Sequence, residues 1–259
     1  MKGFATLSVL LLLGCTPHVV RPVAPVTNVA ITLAKRPLDL RLIQPAIGTD
    51  KPTLVLFATG DGGWRNLDQE VVARIAEHGY AVVGFNARQY LKTMNEVSDA
   101  TTPPKLAADF QRIIEFAITS MNLPRETPII LVGISRGAGL VSIAAGQETL
   151  RNHVEGIIAI ALASVEEHVM TYHRRSARRS EWVAVETYRY LRQLSNVPVE
   201  ILQSTHDKYT TAAKARELFG ADTPLHHLHA IDAKSHTFGG AVPALLTQLN
   251  ESLVRLTAY

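Results

Sequence analysis

The chain reads as an α/β protein, a mostly parallel central sheet with helices on both faces. Short, apolar, β-rich runs alternate with longer amphipathic segments, the pattern of repeated strand–helix–strand units. The runs are almost continuously apolar, as strands covered on both faces are. With 259 residues, 47% of them apolar, the chain is long enough to bury the core of one domain of this type.

In chain order, strands are predicted at 53–59 (TLVLFAT), 81–86 (AVVGFN), 128–133 (PIILVG), 156–162 (GIIAIAL), 199–204 (VEILQS) and 226–231 (HHLHAI). Apolar residues spaced three and four apart predict helices at 66–78, 104–121, 136–149, 210–219 and 242–256. One segment breaks the alternation. YHRRSARRSEWVAVETYRYLRQL (172–194) is longer than a crossover needs and rich in arginine and aromatics, which predicts a small helical cap within 165–195. In a helix, Arg174, Arg175, Arg178 and Arg179 would share one side, either as an anionic binding surface or as a solvated face.

The chain starts MKGFATLSVLLLLGC. One lysine and then an apolar stretch from Phe4 to Leu13, too short to span a bilayer, make a signal-peptide pattern over 1–14. LLGC resembles a bacterial lipobox, with Cys15 as the lipidated residue; the plainer reading is a secretory signal with an incidental cysteine. Cys15 is the chain's only cysteine, so no intramolecular disulfide is available. Residues 15–27, with three prolines, suit a tether to a domain over 28–259. Thr16 is not the Asp associated with inner-membrane retention. The expectation is therefore a lipoprotein on the periplasmic side, at the outer rather than the inner membrane. A net charge of +3 and 6% aromatics give little support for nucleic-acid binding.

Gly133-Ile134-Ser135-Arg136-Gly137 stands where the third of these strands must turn into a helix. This is the context of a nucleophile elbow, in which a strained serine exposes its hydroxyl above the sheet. The alternative is a helix N-cap. A serine nucleophile needs a base, and the base an orienting acid. Asp207 follows one strand and His236 the next, in the order Ser, Asp, His expected on such a sheet. His206 competes as base, and Asp222 and Asp232 compete as acid. His226, His227 and His229 lie within a strand, and no ligand set accompanies them for a metal. An oxyanion hole would draw on the backbone N–H of Arg136 and on the loop ATGDGGW (58–64), through Asp61, Gly62 or Gly63. Arg88 and Tyr90, on the loop after a strand, and Trp64 are candidate substrate contacts. No metal or organic cofactor is required.

GDGGW (60–64), YAVVGFNARQYLKT (80–93) with TPPKLAADF (102–110), LVGISRGA (131–138), SVEEHV (164–169) and SHTFGG (235–240) together resemble the bacterial virulence protein VirJ family, which includes the AcvB proteins, within the α/β-hydrolase superfamily. The resemblance implies a periplasmic serine hydrolase, with AcvB-type members linked to aminoacylated phosphatidylglycerol such as lysyl-phosphatidylglycerol. By position, Ser135, Asp207 and His236 take the nucleophile, acid and base roles. The chain departs from that pattern at Asn86, where relatives tend to have Asp, and at Thr237, where a second histidine is usual. It departs again at the elbow, which usually reads Tyr-Ser-Phe-Gly-Ala-Asp and here is Ile134-Ser135-Arg136-Gly137-Ala138-Gly139.

The expected activity is cleavage of a carboxylic ester, with an aminoacyl-lipid as a candidate substrate and the bacterial membrane, reached through the lipid anchor, as partner. The alternatives are a non-catalytic binding or assembly lipoprotein of a secretion or virulence system, and a peptidase or thioesterase sharing the same three residues.

Overall fold

A computed structural model describes residues 25–33, 36–45, 52–95, 102–171 and 181–258. The signal peptide, Cys15, most of the tether and Arg174, Arg175, Arg178 and Arg179 lie outside the described residues.

Eight strands form the main sheet in the order β1-β2-β4-β3-β5-β6-β9-β10, where β1 is Val26–Leu33, β2 Arg36–Ile43, β3 Leu54–Ala58, β4 Ala81–Phe85, β5 Ile129–Ile134, β6 Gly156–Ile160, β9 Val199–Ser204 and β10 His226–Ile231. From β4 through β10 every pairing is parallel. β1 and β2 form an antiparallel hairpin, joined antiparallel to β4. That hairpin begins two residues before the expected domain boundary at 28, so the end of the predicted tether belongs to the sheet. In β2, Leu38, Leu40 and Leu42 alternate with polar residues and are buried, the period-2 pattern of a strand covered on one face.

Alternate residues of the central strands feed two cores. Leu54, Leu56 and Ala58 face one core, together with α2 (Ala87–Asn95), α3 (Pro103–Ser120), α4 (Arg136–Ala145), α6 (Thr187–Leu191) and α7 (Ala212–Phe219). Val55 and Phe57 face the other, against α1 (Asn66–Glu77) and α8 (Val242–Leu256). In α8, Leu245, Leu249 and Leu253 repeat every four residues and are buried, so each contributes roughly 1.5–3 kcal/mol of burial. α4 is buried all round; it is the sheet's central helix. None of the described helices is long and apolar enough to cross a membrane.

The helical cap is corrected in part. β7 (Val165–Thr171) and β8 (Glu181–Glu186) pair antiparallel as a separate two-stranded ribbon, and among the described residues of the expected stretch only α6 is helical, with 172–180 outside the described residues. The β-forming residues of EWVAVE at 181–186 favour a strand, while the arginine-rich run beside them suggested a helix.

At the amino ends of β9 and β10 lies a buried polar cluster. Glu200 is 1% exposed and accepts hydrogen bonds from His227 Nδ1 at 3.0 Å, His229 Nε2 at 2.7 Å, Ser252 Oγ at 2.9 Å and Arg255 Nε at 2.8 Å. Burial alone would raise its carboxyl. The hydrogen bonds from His229, Arg255 and Ser252 outweigh it and hold the group below its ordinary value. A carboxyl with a lowered folded value contributes fully above its unfolded value, and the contribution is lost as pH falls through the folded one. Urea denaturation of Glu200→Gln should therefore show a loss of about 1–3 kcal/mol at neutral pH, and the gap to the wild type should narrow on acidification.

Candidate active site

The turn from β5 into α4 sets the site. Ser135 adopts φ 53°, ψ −116°, a left-handed conformation that costs a non-glycine residue roughly 1–3 kcal/mol. Its N–H is held by the Ile160 carbonyl at 2.8 Å. Two glycines make the turn sterically feasible. A Cβ on Gly133 would strike the Gly137 backbone, and one on Gly137 would strike the Ala58 carbonyl. The serine side chain makes no capping bond to α4, which removes the N-cap reading.

Its hydroxyl meets a base instead. His236 Nε2 lies 2.8 Å from Ser135 Oγ, and His236 Nδ1 lies 2.6 Å from Asp207 Oδ2. The Asp207 side chain is fully buried. It also accepts from the Gln203 amide at 3.0 Å and from the backbone N–H groups of Tyr209 at 2.8 Å and Thr210 at 3.4 Å. A carboxylate so held can orient the imidazole with Nδ1–H toward itself, leaving Nε2 free to accept a proton. The Tyr209 ring stands edge-on to His236 at 4.8 Å and walls one side of the cleft.

The competing residues are placed elsewhere. His206 lines the cleft, but its ring nitrogen bonds Thr205 and the Ala233 carbonyl. Asp222 pairs with Arg216, and Asp232 accepts from Thr205. His227 and His229 turn to Glu200, and His226 turns to the Leu194 carbonyl. Among the described residues, no group of three or more His, Cys, Asp or Glu side chains could hold a metal ion.

The loop after β3 is pinned from below. Asp68, 5% exposed in α1, accepts from the N–H of Gly60 at 2.9 Å and of Arg65 at 3.3 Å. Burial raises the Asp68 carboxyl against the lowering effect of those bonds. The N–H of Gly63 closes a turn onto the Gly60 carbonyl at 3.0 Å, so Gly63 is corrected as an oxyanion donor: its proton is already used. The N–H groups of Asp61 and Gly62 carry no hydrogen bond among the described residues, and both residues line the cleft with Ser135. The Arg136 backbone opens the first turn of α4. Its side chain reaches Asp61 at 2.9 Å and Glu166 of β7 at 3.3 Å.

Two expected substrate contacts are corrected. Tyr90 is fully buried, donates its hydroxyl to Asp109 of α3 at 3.0 Å and packs edge-on against Phe85 and Phe110. The segment after β4 is helix α2 rather than a loop, which turns Tyr90 inward. Trp64 packs 5.7 Å from Phe57 and over Gly84, with the Arg41 guanidinium 4.3 Å above its ring. It anchors the glycine loop to the sheet and is absent from the cleft lining. Arg88 does line the cleft. Sequence reasoning missed Gln203 and Asp68. A polar residue in the apolar run VEILQS, and an acid three residues into a helix after a glycine loop, were the available signals.

The family model of the bacterial virulence protein (VirJ) matches residues 52–207, more than half of the chain. The chain belongs to this family. Solved structures place the chain in the α/β-hydrolase fold. Est1E from Butyrivibrio proteoclasticus is 16% identical, with 90% of this chain and 99% of that one covered at a TM-score of 0.66. An alpha-beta serine hydrolase homologue from Coxiella burnetii is 15% identical over 88% and 97%, at 0.62. The esterase domain of a Rhodothermus marinus protein is 16% identical over 89% and 98%, at 0.60. No curated protein matches.

Because its new Cβ would meet backbone rather than a yielding side chain, Gly137→Ala should lower stability by more than about 4 kcal/mol or abolish soluble expression. Gly139→Ala, whose Cβ would meet only the Glu166 side chain, should cost less in the same denaturation measurement.

Proposed function

We propose that the protein is a serine hydrolase that cleaves a carboxylic ester through an acyl-enzyme. The observation that carries this reading is the unbroken hydrogen-bond chain Ser135–His236–Asp207, with the serine in a strained turn at a cleft of about 620 Å³. The serine hydrolase and esterase neighbours support it.

In the first step Ser135 Oγ attacks the ester carbonyl as His236 Nε2 takes its proton. The oxyanion is received by the N–H of Arg136 and by that of Asp61 or Gly62. His236 then gives its proton to the departing alcohol. Water, deprotonated by the same nitrogen, attacks the acyl-enzyme and releases the acid, restoring Ser135. Asp207 stays ionised throughout and stabilises the imidazolium.

Aminoacyl-phosphatidylglycerol is the finer substrate proposal, with lysyl-phosphatidylglycerol among its members, supported by the resemblance to AcvB proteins. The apolar LLGC ending at Cys15 supports a lipid anchor on the periplasmic side, and Thr16 in place of an Asp supports the outer rather than the inner membrane.

A fluorophosphonate probe should label the protein at Ser135, and Ser135→Ala should remove the label. In ester hydrolysis, Ser135→Ala and His236→Ala should each lower kcat by at least about 10³-fold; an unlabelled but folded wild type would sink the enzyme reading. Metabolic palmitate labelling of the full chain should disappear in Cys15→Ser.

A further inference from the structure

Around Ser135 the cleft is lined by Arg65, Arg88, Lys208 and Lys234, brought there by four separate segments: the turn before α1, α2, and the loops after β9 and β10. All four are exposed. Among the described residues none forms an ion pair. Arg65 Nε makes a long bond of 3.4 Å to the Gly62 carbonyl, and the Lys208 ammonium sits 4.7 Å over the Tyr209 ring.

The carboxylates on the same wall are Asp61 and Asp68, and both are engaged. Asp61 is paired with Arg136, and Asp68 is buried on the backbone N–H groups of Gly60 and Arg65. The cleft therefore presents cations to its contents without matching free carboxylates. Like-signed groups lining a concave site concentrate the opposite charge there.

We propose that this cleft selects esters that carry a fixed negative charge, a phosphate or a carboxylate, and seats that charge among Arg65, Arg88, Lys208 and Lys234. This rests on the hydrolase reading above and narrows it. An anionic lipid phosphate suits the cations, and among aminoacyl-phosphatidylglycerols this favours those with a less cationic acyl group over the lysyl member named above, whose additional ammonium charge the cleft opposes. Charge complementarity of this kind acts on the second-order rate, through capture of the substrate, and is screened by salt.

The test compares matched esters with the full-length protein. The acyl arm uses 4-nitrophenyl butyrate, the 4-nitrophenyl monoester of glutaric acid and the 4-nitrophenyl ester of lysine. The alcohol arm uses butyryl glycerol and butyryl glycerol 3-phosphate. In at least one arm the anionic ester should exceed its neutral partner in kcat/KM by about tenfold or more at low salt, with the lysine ester the poorest of its arm; the margin should shrink as NaCl is raised. The arm that shows the preference tells carboxylate from phosphate. Lys208→Glu with Lys234→Glu, and Arg65→Glu with Arg88→Glu, should lower the anionic-to-neutral ratio. Fluorophosphonate labelling of each variant reports that Ser135 still reacts. Equal rates for neutral and anionic esters in both arms by a labelled enzyme would overturn the anion subsite while leaving the hydrolase reading intact. So would a preference untouched by the charge reversals. Absence of both labelling and hydrolysis in the wild type would overturn the hydrolase reading itself.

Discussion

The close approach of α4 to the strands beneath it governs the rest of the site. Gly137 lies on the Ala58 carbonyl, and Gly133 lies against Gly137. Any side chain at either position would lift the helix from the sheet. With the helix down, Ser135 stands over the carboxyl ends of β5 and β6, its N–H on Ile160, and the loop after β3 passes beside it, where a Cβ added to Gly60 would stand 3.7 Å from the Ser135 Cβ. His236 and Asp207 come from loops after two further strands. Their convergence needs only that those parallel strands end at the same edge, the usual place for a ligand site in an open α/β sheet.

Two departures from the resembling family's elbow act as one physical unit. Arg136 holds Asp61 on one side and Glu166 on the other. A phenylalanine at that position could make neither bond. Glu166 comes this close because Gly139 has no side chain; a Cβ there would run into the Glu166 stem, and an aspartate would add a second carboxylate at the same spot. Arg136 and Gly139 thus replace one local arrangement by another, in which the β7–β8 ribbon is tied by charge to the loop that flanks the nucleophile. Glu166 is only 6% exposed, so its pairing is made largely out of water, where it is worth more than a surface ion pair.

The parallel part of the sheet was legible because buried strands have a strong signature. VEILQS and HHLHAI coincide with β9 and β10, and the other central strands differ by a residue or two at their ends. The three residues that meet at the cleft were legible from order and spacing, since each follows a strand. What escaped notice was weaker in pattern. The β1–β2 hairpin is half exposed, and its alternation follows a proline-rich stretch. α2 starts one residue after β4, with the Asn86 side chain accepting from the Gln89 N–H at 3.1 Å; that asparagine cap is the signal that marks the segment as helix, and helical turning sends Tyr90 into the core. Trp64 was drawn toward the cleft by the company of glycines, although a ring of that size beside Gly84 gains more by covering the sheet. Glu200 looked unremarkable in a strand until its four donors, from β10 and α8, came together around it.

The backbone at Ser135 has a consequence for what evolution can do with this chain. Alanine, threonine or cysteine would all bear the same left-handed geometry, so removing the hydroxyl relieves nothing. Only glycine, indifferent to the sign of φ, would let the turn relax. A descendant freed from any need for a reactive hydroxyl would thus gain stability by drifting to glycine at this position. The present chain sits on the other side of that exchange, trading fold stability for an oxygen atom held beside a histidine.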